Sequence, residues 1–322
     1  MKKSASGPLL LVDGHALLFR AFFALPPLTS PRGEPTGAIY GFLRILYKAI
    51  AETKAESVAV VFDAPGASFR DKVYEEYKAH REPTPTDLAK QIPQTIDLVR
   101  SLGFPTLVVD GVEADDVIAS LVHQQKNGVI LIFSGDKDLA ALVSDRVKML
   151  VPGHRFDGFT LRGEAEVLER FGVAPERIPD LLALMGVTSD NIPGVPGIGP
   201  KRAVEILKTA GSVPKILKNP PEKIAPHLDA LRLSWELVQL RTDLKLDVSD
   251  LRPAPPSQGA RDKILALGMK SILASIGNVD EAAAAPAPSA AQAPTEKPPF
   301  DLQAIPVVFE NGPRPEKFDE EV

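Results

Sequence analysis

Five short apolar runs, each four or five residues long, restrict the fold of this chain more than any other feature. They lie at residues 9–12, 58–62, 106–109, 129–133 and 147–151. The runs are continuous instead of alternating, which is typical of strands buried on both faces, and helical patterns such as residues 37–53 and 114–125 lie between them. This order predicts an α/β fold with a mostly parallel central sheet flanked by helices.

The sequence pattern changes at about residue 178 and again at about residue 279. Residues 178–278 predict short helices punctuated by Gly and Pro, whereas residues 279–322 are rich in Ala and Pro. The formal net charge is −5, but residues 280–322 hold nine acids and three bases, so the rest of the chain is close to neutral. We therefore expect an α/β core over 1–177, an all-helical module over 178–278 and a disordered, acidic linker or tail over 279–322.

Cysteine is absent from the 322 residues. A metal site would therefore have to use carboxylates or histidines, which favours hard divalent cations such as Mg²⁺ or Mn²⁺. No stretch approaches the ~20 apolar residues of a membrane span, so we expect a cytoplasmic protein with no membrane partner.

Acidic residues follow four of the five apolar runs at the point where each predicted strand ends. They are Asp13 after the first run, Asp63 after the second, Glu113, Asp115 and Asp116 after the third, and Asp136 and Asp138 after the fourth. The carboxyl ends of parallel strands meet at one edge of a sheet, so we expect these acids in one cleft. Each acid taken alone could equally be a helix N-cap.

A cluster of this kind needs positive charge, because neighbouring carboxylates raise one another's pKa unless cations neutralise them. Carboxylates that hold two Mg²⁺ or Mn²⁺ ions ~3.5–4 Å apart are suited to the hydrolysis of phosphodiester bonds. The cluster therefore predicts a two-metal hydrolytic site.

A segment between the second and third predicted strands, residues 66–92, interleaves aromatic and cationic side chains, and we call it the arch segment. Its candidates for DNA binding include Arg70, Lys72 and Tyr74. Rings beside Lys and Arg are what single-stranded nucleic acid binding needs. The alternative is an amphipathic surface helix of mixed charge.

A glycine-rich turn precedes an apolar helix in the predicted helical module. Gly194, Gly197 and Gly199 are followed by Lys201 and Arg202, and residues 201–223 hold six Lys or Arg against two Glu. Exposed backbone N–H groups at such a turn can cradle a phosphate, and the basic excess suits a nucleic-acid backbone. The pattern is typical of a helix-hairpin-helix motif, and the alternative is a simple helix N-terminal turn.

Five motifs follow one another in an order that one known family shares. They are Asp13-Gly14-His15, Val60-Val61-Phe62-Asp63, Glu113-Ala114-Asp115-Asp116, Gly135-Asp136-Lys137-Asp138 and Ser189-Asp190-Asn191-Ile192-Pro193-Gly194-Val195-Pro196-Gly197-Ile198-Gly199. Over about residues 8–276 the chain resembles the 5′-nuclease domain of bacterial DNA polymerase I. The resemblance implies a PIN-like fold and a 5′-3′ exonuclease and flap endonuclease that acts in replication and repair.

The resemblance also implies roles for single residues at matching motif positions. One divalent ion would be held by Asp13, Asp63, Glu113, Asp115 and Asp116, and the other by Asp136, Asp138 and Asp190. Tyr77 would stack on a base, while Lys78 and Arg81 would stabilise charge on a phosphate. Arg20 also matches a family position. The glycine hairpin would hold the duplex backbone, with K⁺ bound by its carbonyls.

The implied partner is branched or nicked duplex DNA with a 5′ flap. We expect a monomer at the nucleoid, and attachment to a downstream polymerase remains open at this point.

One position departs from the family pattern, because Val187 stands where an acid is expected in the Gly186–Asn191 run. If Val187 faces the second metal ion, the site loses a ligand, and a branched-DNA-binding module with weak catalysis becomes the alternative function. If Val187 instead packs in the core near Leu184, the site is intact. A Toprim-type site, built on Glu113 and the Asp136–Asp138 pair, is a further alternative.

Overall fold

The structure, a computed structural model, describes residues 7–153, 158–247, 249–273 and 275–276. Its strands are β1 (Leu9–Asp13), β2 (Ser57–Asp63), β3 (Thr106–Val109), β4 (Ile130–Phe133), β5 (Val147–Pro152) and β6 (Phe159–Arg162). Its α-helices are α1 (Gly14–Ala24), α2 (Gly37–Thr53), α3 (Phe69–Val73), α4 (Thr86–Ser101), α5 (Ala114–Gln124), α6 (Glu164–Phe171), α7 (Ile178–Met185), α8 (Pro200–Ala210), α9 (Val213–Lys218), α10 (Leu228–Leu237) and α11 (Ala260–Ala266). No helix in these residues is long and apolar enough to cross a membrane.

The strands form one sheet in the order β3-β2-β1-β4-β5-β6, in which β1 to β5 are parallel and β6 is antiparallel to β5. The predicted fold class is confirmed, and each of the five apolar runs forms a strand. The sequence did not predict β6. This strand has only four partly exposed residues and lies at the edge of the sheet, so it lacks the continuous apolar run of a central strand.

Both faces of the sheet are buried, which explains why the strand sequences do not alternate. Leu9 and Leu11 belong to an apolar cluster that includes residues of α5, whereas Leu10 and Val12 belong to a second cluster with residues of α1, α2 and α4. Successive side chains of a strand point to opposite faces, so a strand covered on both sides needs apolar residues at every position.

The sheet order brings the acid-bearing strands together. The strands β3, β2, β1 and β4 are consecutive neighbours. In their register, Asp13 lies opposite Val61 on β2, and Asp63 lies opposite Val109 at the end of β3. Four strand ends therefore deliver carboxylates to one edge.

Residues beyond 178 form the helical hairpin that the sequence suggested, with α7 and α8 joined by a loop over residues 186–199. Gly194 has φ +64° and packs against the backbone of Gly186. Its N–H donates to the buried Oγ of Ser234 in α10, at 2.9 Å. The loop that leads into the glycine turn is thus held at its start, by the packing of Gly194 on Gly186, and at its middle, by the hydrogen bond to Ser234.

The end of the described chain differs from the predicted division. Residues 251–272, assigned above to the helical module, pack on the α/β part. The N–H of Val58 donates to Leu251 O, the N–H of Ala254 donates to Gly103 O, and Ile272 belongs to the apolar cluster of α1 and α2. The predicted tail, 279–322, lies outside the described residues.

Gly194→Ala is expected to lower the free energy of unfolding by about 1–3 kcal/mol. Its Cβ would lie 2.3 Å from the backbone N of Gly186, and L side chains rarely adopt its φ. Gly259→Ala is the control, because Gly259 has φ −87° and open space around its Cβ position. Urea unfolding should show a loss for the first variant and no loss for the control. If wild type, Gly194→Ala and Gly259→Ala unfolded at the same urea midpoint, the close contact between Gly194 and Gly186 would be contradicted.

Candidate active site

The candidate metal-binding acids divide into two sets according to what they face. An inner set joins three buried acids of raised pKa, Asp13, Asp115 and Asp138, with two neighbouring acids that repel them, Asp63 and Asp136. An outer set is paired with cations: Glu113, Asp116 and Asp190. The two sets lie side by side but have different electrostatics.

Burial, and then repulsion between the acids, raises pKa values in the inner set. Burial and then the charges of Asp136 and Asp63 raise the pKa of Asp13 to about 7. Burial and then Asp136 raise the pKa of Asp138 to about 7. Burial and the surrounding acids also raise the pKa of Asp115 well above its usual range. The inner set therefore holds more negative charge than the protein itself neutralises.

The backbone and small polar groups hold the inner set in place. Asp13 caps α1 by accepting from the N–H of Ala16 at 3.0 Å, and it also accepts from the Oγ of Ser134 at 2.8 Å. Asp63 accepts from the N–H of Ala114, the first residue of α5, at 2.7 Å. Asp13 thus combines the N-cap role with a place in the cluster.

One oxygen of the inner set lacks a partner, since Oδ1 of Asp138 is buried and accepts no hydrogen bond. In the described residues no three Asp, Glu or His side chains converge closely enough to form a ready-made metal site. All donors in the set are oxygens, so the chemistry of the set and the unpartnered oxygen fit a hard cation.

Asp116, which was predicted to bind metal, and Arg70, which was predicted to bind DNA, form a buried ion pair with each other. The Arg70 guanidinium, with the side chain 3% exposed, donates to both oxygens of Asp116 at 2.7 and 2.9 Å. Asp116 also accepts from the backbone N–H groups of Glu113 and Arg241. Its oxygens are fully used, and its own exposed fraction is 0%.

Arg70 is a structural brace that joins the arch segment, α5 and the end of α10. Its Nε donates to Leu237 O at 2.8 Å, and its Nη2 donates to Gln239 O at 2.8 Å. Its Nη1 also donates to Glu113 Oε2 at 2.9 Å. The brace therefore holds a candidate metal ligand, Glu113, without itself being accessible to DNA.

The remaining arch residues also contact the outer set. The hydroxyl of Tyr77 donates to Glu113 Oε2 at 3.0 Å, and Lys78 Nζ pairs with Glu113 Oε1. The Tyr77 ring is 5% exposed and lies beneath the Lys78 ammonium. In this conformation the ring is not open for stacking on a base, so its predicted role requires it to move. Lys72 is exposed and Tyr74 is half-buried.

Arg81 pairs with Asp190 across the arch segment and the helical hairpin. Arg81 Nη2 lies 2.6 Å from Asp190 Oδ1. Burial alone would raise the pKa of Asp190, but Lys78 and Arg81 together hold it below its usual value. Asp190 is therefore neutralised in a way that the inner set is not.

A pocket of about 210 Å³ opens between the strand ends and the arch segment. Asp63 and Glu113 line it on one side, and Lys78 and Arg81 line it on the other. A phosphate in this space would meet both the cations and the acids.

The other predicted residues lie farther out. Arg20 donates to the carbonyls of Pro152 and Gly153 at the end of β5, both at 2.9 Å. In the hairpin, residues 197, 199, 201 and 202 are exposed. Gly194 was predicted to contact DNA, but it is buried against Gly186, so its role is to shape the loop.

Val187 is 2% exposed and belongs to the apolar cluster that contains Leu184 and Ile192. Its backbone exchanges hydrogen bonds with Ile192. The packing alternative therefore holds at this position, and the absence of an acid here leaves the inner set untouched.

Sequence reasoning assigned no role to His15, although it lies in the first motif. Burial lowers the pKa of His15, and its Nδ1 accepts the N–H of Asp63 at 3.0 Å. The imidazole fixes the backbone of an inner-set acid. The only signal for this contact in the sequence was the position of His15 two residues after Asp13.

Comparison with protein-family models gives two adjacent matches that together cover most of the chain. Residues 8–172 match the 5′-3′ exonuclease N-terminal resolvase-like domain. Residues 173–259 match the 5′-3′ exonuclease C-terminal SAM fold.

Two curated relatives show how the match is distributed. A 5′-3′ exonuclease of Aquifex aeolicus is 42% identical over 281 residues, which are 84% of this chain and 96% of the relative. A thermostable DNA polymerase I of Thermus thermophilus is 46% identical over 294 residues, 88% of this chain but 34% of the relative. The chain thus spans about a third of the polymerase and nearly all of the exonuclease.

A solved structure supports the fold independently. The T5 D15 protein, crystallised with metal ions, superposes with a TM-score of 0.62 over 85% of this chain and 98% of its own, at 22% sequence identity. At this level of identity the likeness shows that the fold is shared.

In metal-free protein, replacement of Asp115 by Asn and replacement of its neighbour Asp116 by Asn should change the stability in opposite directions. Asp116→Asn takes from the buried Arg70 the carboxylate that accepts two of its hydrogen bonds, leaving it the single carboxylate bond to Glu113, and should cost about 3 kcal/mol of stability. Asp115→Asn removes a buried carboxylate that other acids repel and should raise the melting temperature. Thermal unfolding in EDTA at neutral pH checks both variants. Destabilisation by Asp115→Asn, or a neutral Asp116→Asn, would contradict the division into two sets.

The raised pKa values predict that metal-free protein loses stability as pH rises. Asp13 and Asp138 have folded pKa values of about 7, above the ordinary 3.8. Their protonation stabilises the fold fully below pH 4, and this contribution is lost as pH rises through 7. The melting temperature in EDTA should therefore fall between pH 5.5 and pH 8. In Asp13→Asn the fall should be smaller, and an equal fall in both proteins would contradict this assignment.

Proposed function

The chain belongs to the 5′-3′ exonuclease family, and on that premise we propose that it hydrolyses DNA phosphodiester bonds at 5′ ends and 5′ flaps with two divalent metal ions. The observation that carries the proposal is the inner set, a group of mutually repelling carboxylates beside a cationic arch segment. Hydrolysis of a polyanionic substrate needs both kinds of charge, because the acids can hold metal ions and the cations can hold phosphate.

The residues that would hold metal follow from the two sets. Asp13, Asp63 and Asp115 would hold one ion, and Asp136 and Asp138 would hold the other. The unpartnered Oδ1 of Asp138 would gain a partner. When bound, Mg²⁺ or Mn²⁺ would lower the pKa of a water molecule and stabilise charge on the phosphate. Asp116 is not among the ligands, because Arg70 occupies both of its oxygens.

The arch segment would exchange partners when DNA binds. Lys78 and Arg81 neutralise Glu113 and Asp190 in the free protein. A phosphate in the adjoining pocket can take over these cations, which releases two carboxylates toward the inner set. Positive charge placed where a phosphate gains charge in the transition state stabilises that state over the ground state.

The exposed turn at Gly197 and Gly199, with Lys201 and Arg202, is proposed to hold the duplex backbone, with K⁺ as an additional ion. A role in replication and repair is part of the proposal, and the similarity to a DNA polymerase I supports it. The binding-module alternative loses its motivation, because Val187 packs in the core. The family match likewise removes the reason for a Toprim-type site.

The experiment is cleavage of a 5′-flap substrate under single-turnover conditions with Mg²⁺ or Mn²⁺. Wild type should cleave, and EDTA should abolish cleavage. Lys78→Ala should lower the rate by about 10²–10³-fold, since its charge acts on the reacting phosphate. Lys201→Ala should mainly weaken DNA binding and reduce the slope of log K against log salt by about 0.9.

The matched control is Lys126→Ala, an exposed lysine in the loop before β4, at the sheet edge opposite the acid-bearing strand ends. It should change neither rate nor affinity. Equal losses of rate from Lys78→Ala and Lys201→Ala would contradict the division of roles, and cleavage that persists in EDTA would contradict metal dependence.

A further inference from the structure

The loop over residues 188–191 is hydrogen-bonded directly to the arch segment. The Asn191 side-chain amide donates to the backbone carbonyl of Glu76 at 2.7 Å. In return, the N–H of Lys78 donates to Asp190 O at 3.0 Å. Arg81 Nε donates to Ser189 O at 3.1 Å, beside its ion pair with Asp190. The loop therefore contacts the arch through side chains and backbone on both partners.

Backbone conformation makes this contact specific. Lys78 and Asn191 both adopt left-handed backbone, with φ of 54° and 57°. Asn tolerates this region, whereas a lysine there costs about 1–2 kcal/mol without compensation. The bond from the Lys78 N–H to Asp190 O supplies compensation. The conformation that directs the Lys78 ammonium to Glu113 thus depends on the facing loop.

The same loop is continuous with the glycine hairpin. Ile192 pairs with Val187 through backbone bonds, and the N–H of Val195 donates to Leu184 O. Gly194 is fixed by Ser234. A duplex held at Gly197 and Gly199 would therefore act on a rigid loop whose other end contacts the arch.

We propose that Asn191 is a positioning residue that links the hairpin to the arch and holds Lys78 at the reacting phosphate. Its amide donates to the Glu76 carbonyl two residues before Lys78, so Asn191 fixes the backbone from which the Lys78 side chain projects. The inference rests on the proposed function for its catalytic consequence, but the link itself exists in the free protein.

The first test uses free protein and trypsin, which cleaves after Lys78 and Arg81. Asn191→Gly removes the amide while keeping the left-handed backbone, so trypsin should cut the arch at least about tenfold faster. Asn191→Asp keeps the size but places a carboxylate against the Glu76 carbonyl, and it carries the test if the glycine variant fails to fold. Asn127→Gly, at an exposed loop position, is the control and should not change the cutting rate.

The second test measures single-turnover cleavage of the flap substrate. Asn191→Gly should lower the rate by about tenfold while the DNA Kd stays within about twofold. In a Lys78→Ala background the same change should have almost no further effect, because the residue acts through Lys78. If Asn191 had only a structural role, Asn191→Gly would lower the cleavage rate by the same factor in the wild-type and the Lys78→Ala backgrounds.

The two tests separate the inference from the function. A wild type that fails to cleave the flap would overturn the proposed function, and the trypsin result would still decide the link. A wild type that cleaves, with Asn191→Gly equal to it in rate and trypsin sensitivity, would overturn the link. The link would also be overturned if Asn191→Gly lowered the cleavage rate by the same factor in the Lys78→Ala background, or if Asn191→Gly weakened only the DNA Kd.

Discussion

The burial of neighbouring, mutually repelling carboxylates at one sheet edge is the constraint on which the rest of this structure depends. In a parallel sheet with the order β3-β2-β1-β4, the carboxyl ends of all four strands lie at the same edge, so the acids that follow them lie close together. Burial raises the cost of ionising them, and proximity raises it further, so Asp13 and Asp138 reach pKa values of about 7. At neutral pH these carboxylates therefore need bound protons or nearby cations to neutralise their charge.

Among the described residues, Arg70, Lys78 and Arg81 form ion pairs with the outer set. Arg70 is committed to Asp116 by two hydrogen bonds and to the end of α10 by two more, and it stays buried. Lys78 and Arg81 are more accessible, and in the proposed function they leave their carboxylates for a phosphate. The arch segment would then supply one permanent contact, through Arg70, and two cations that change partner. In that proposal protons, metal ions and these cations compete for the same carboxylates, and the substrate alters the competition.

The sequence predicted the fold, and it placed Asp13 and Asp63 at the ends of strands, because both follow from local pattern. Continuous apolar runs identify buried strands, and an acid at the end of such a run has its position fixed by the sheet. It could not separate Asp115 from Asp116, since the difference lies in a partner 46 residues away, Arg70. Arg70 itself lies between Phe69 and Asp71 in a polar segment that resembles surface. Likewise, only packing revealed that residues 251–272 return to the α/β part.

The most direct test of the central claim is to count the protons released when Mg²⁺ binds, by titration calorimetry in buffers of different ionisation enthalpy. Ligands must lose their protons to bind metal. The two acids of pKa about 7, Asp13 and Asp138, should together release roughly one proton per protein at pH 7 and almost none at pH 9, and Asp115, whose pKa is also raised, should add to that number. Asp138→Asn should release fewer at pH 7. Binding heats at pH 7 that are independent of the buffer would contradict the claim that the inner set lacks positive charge.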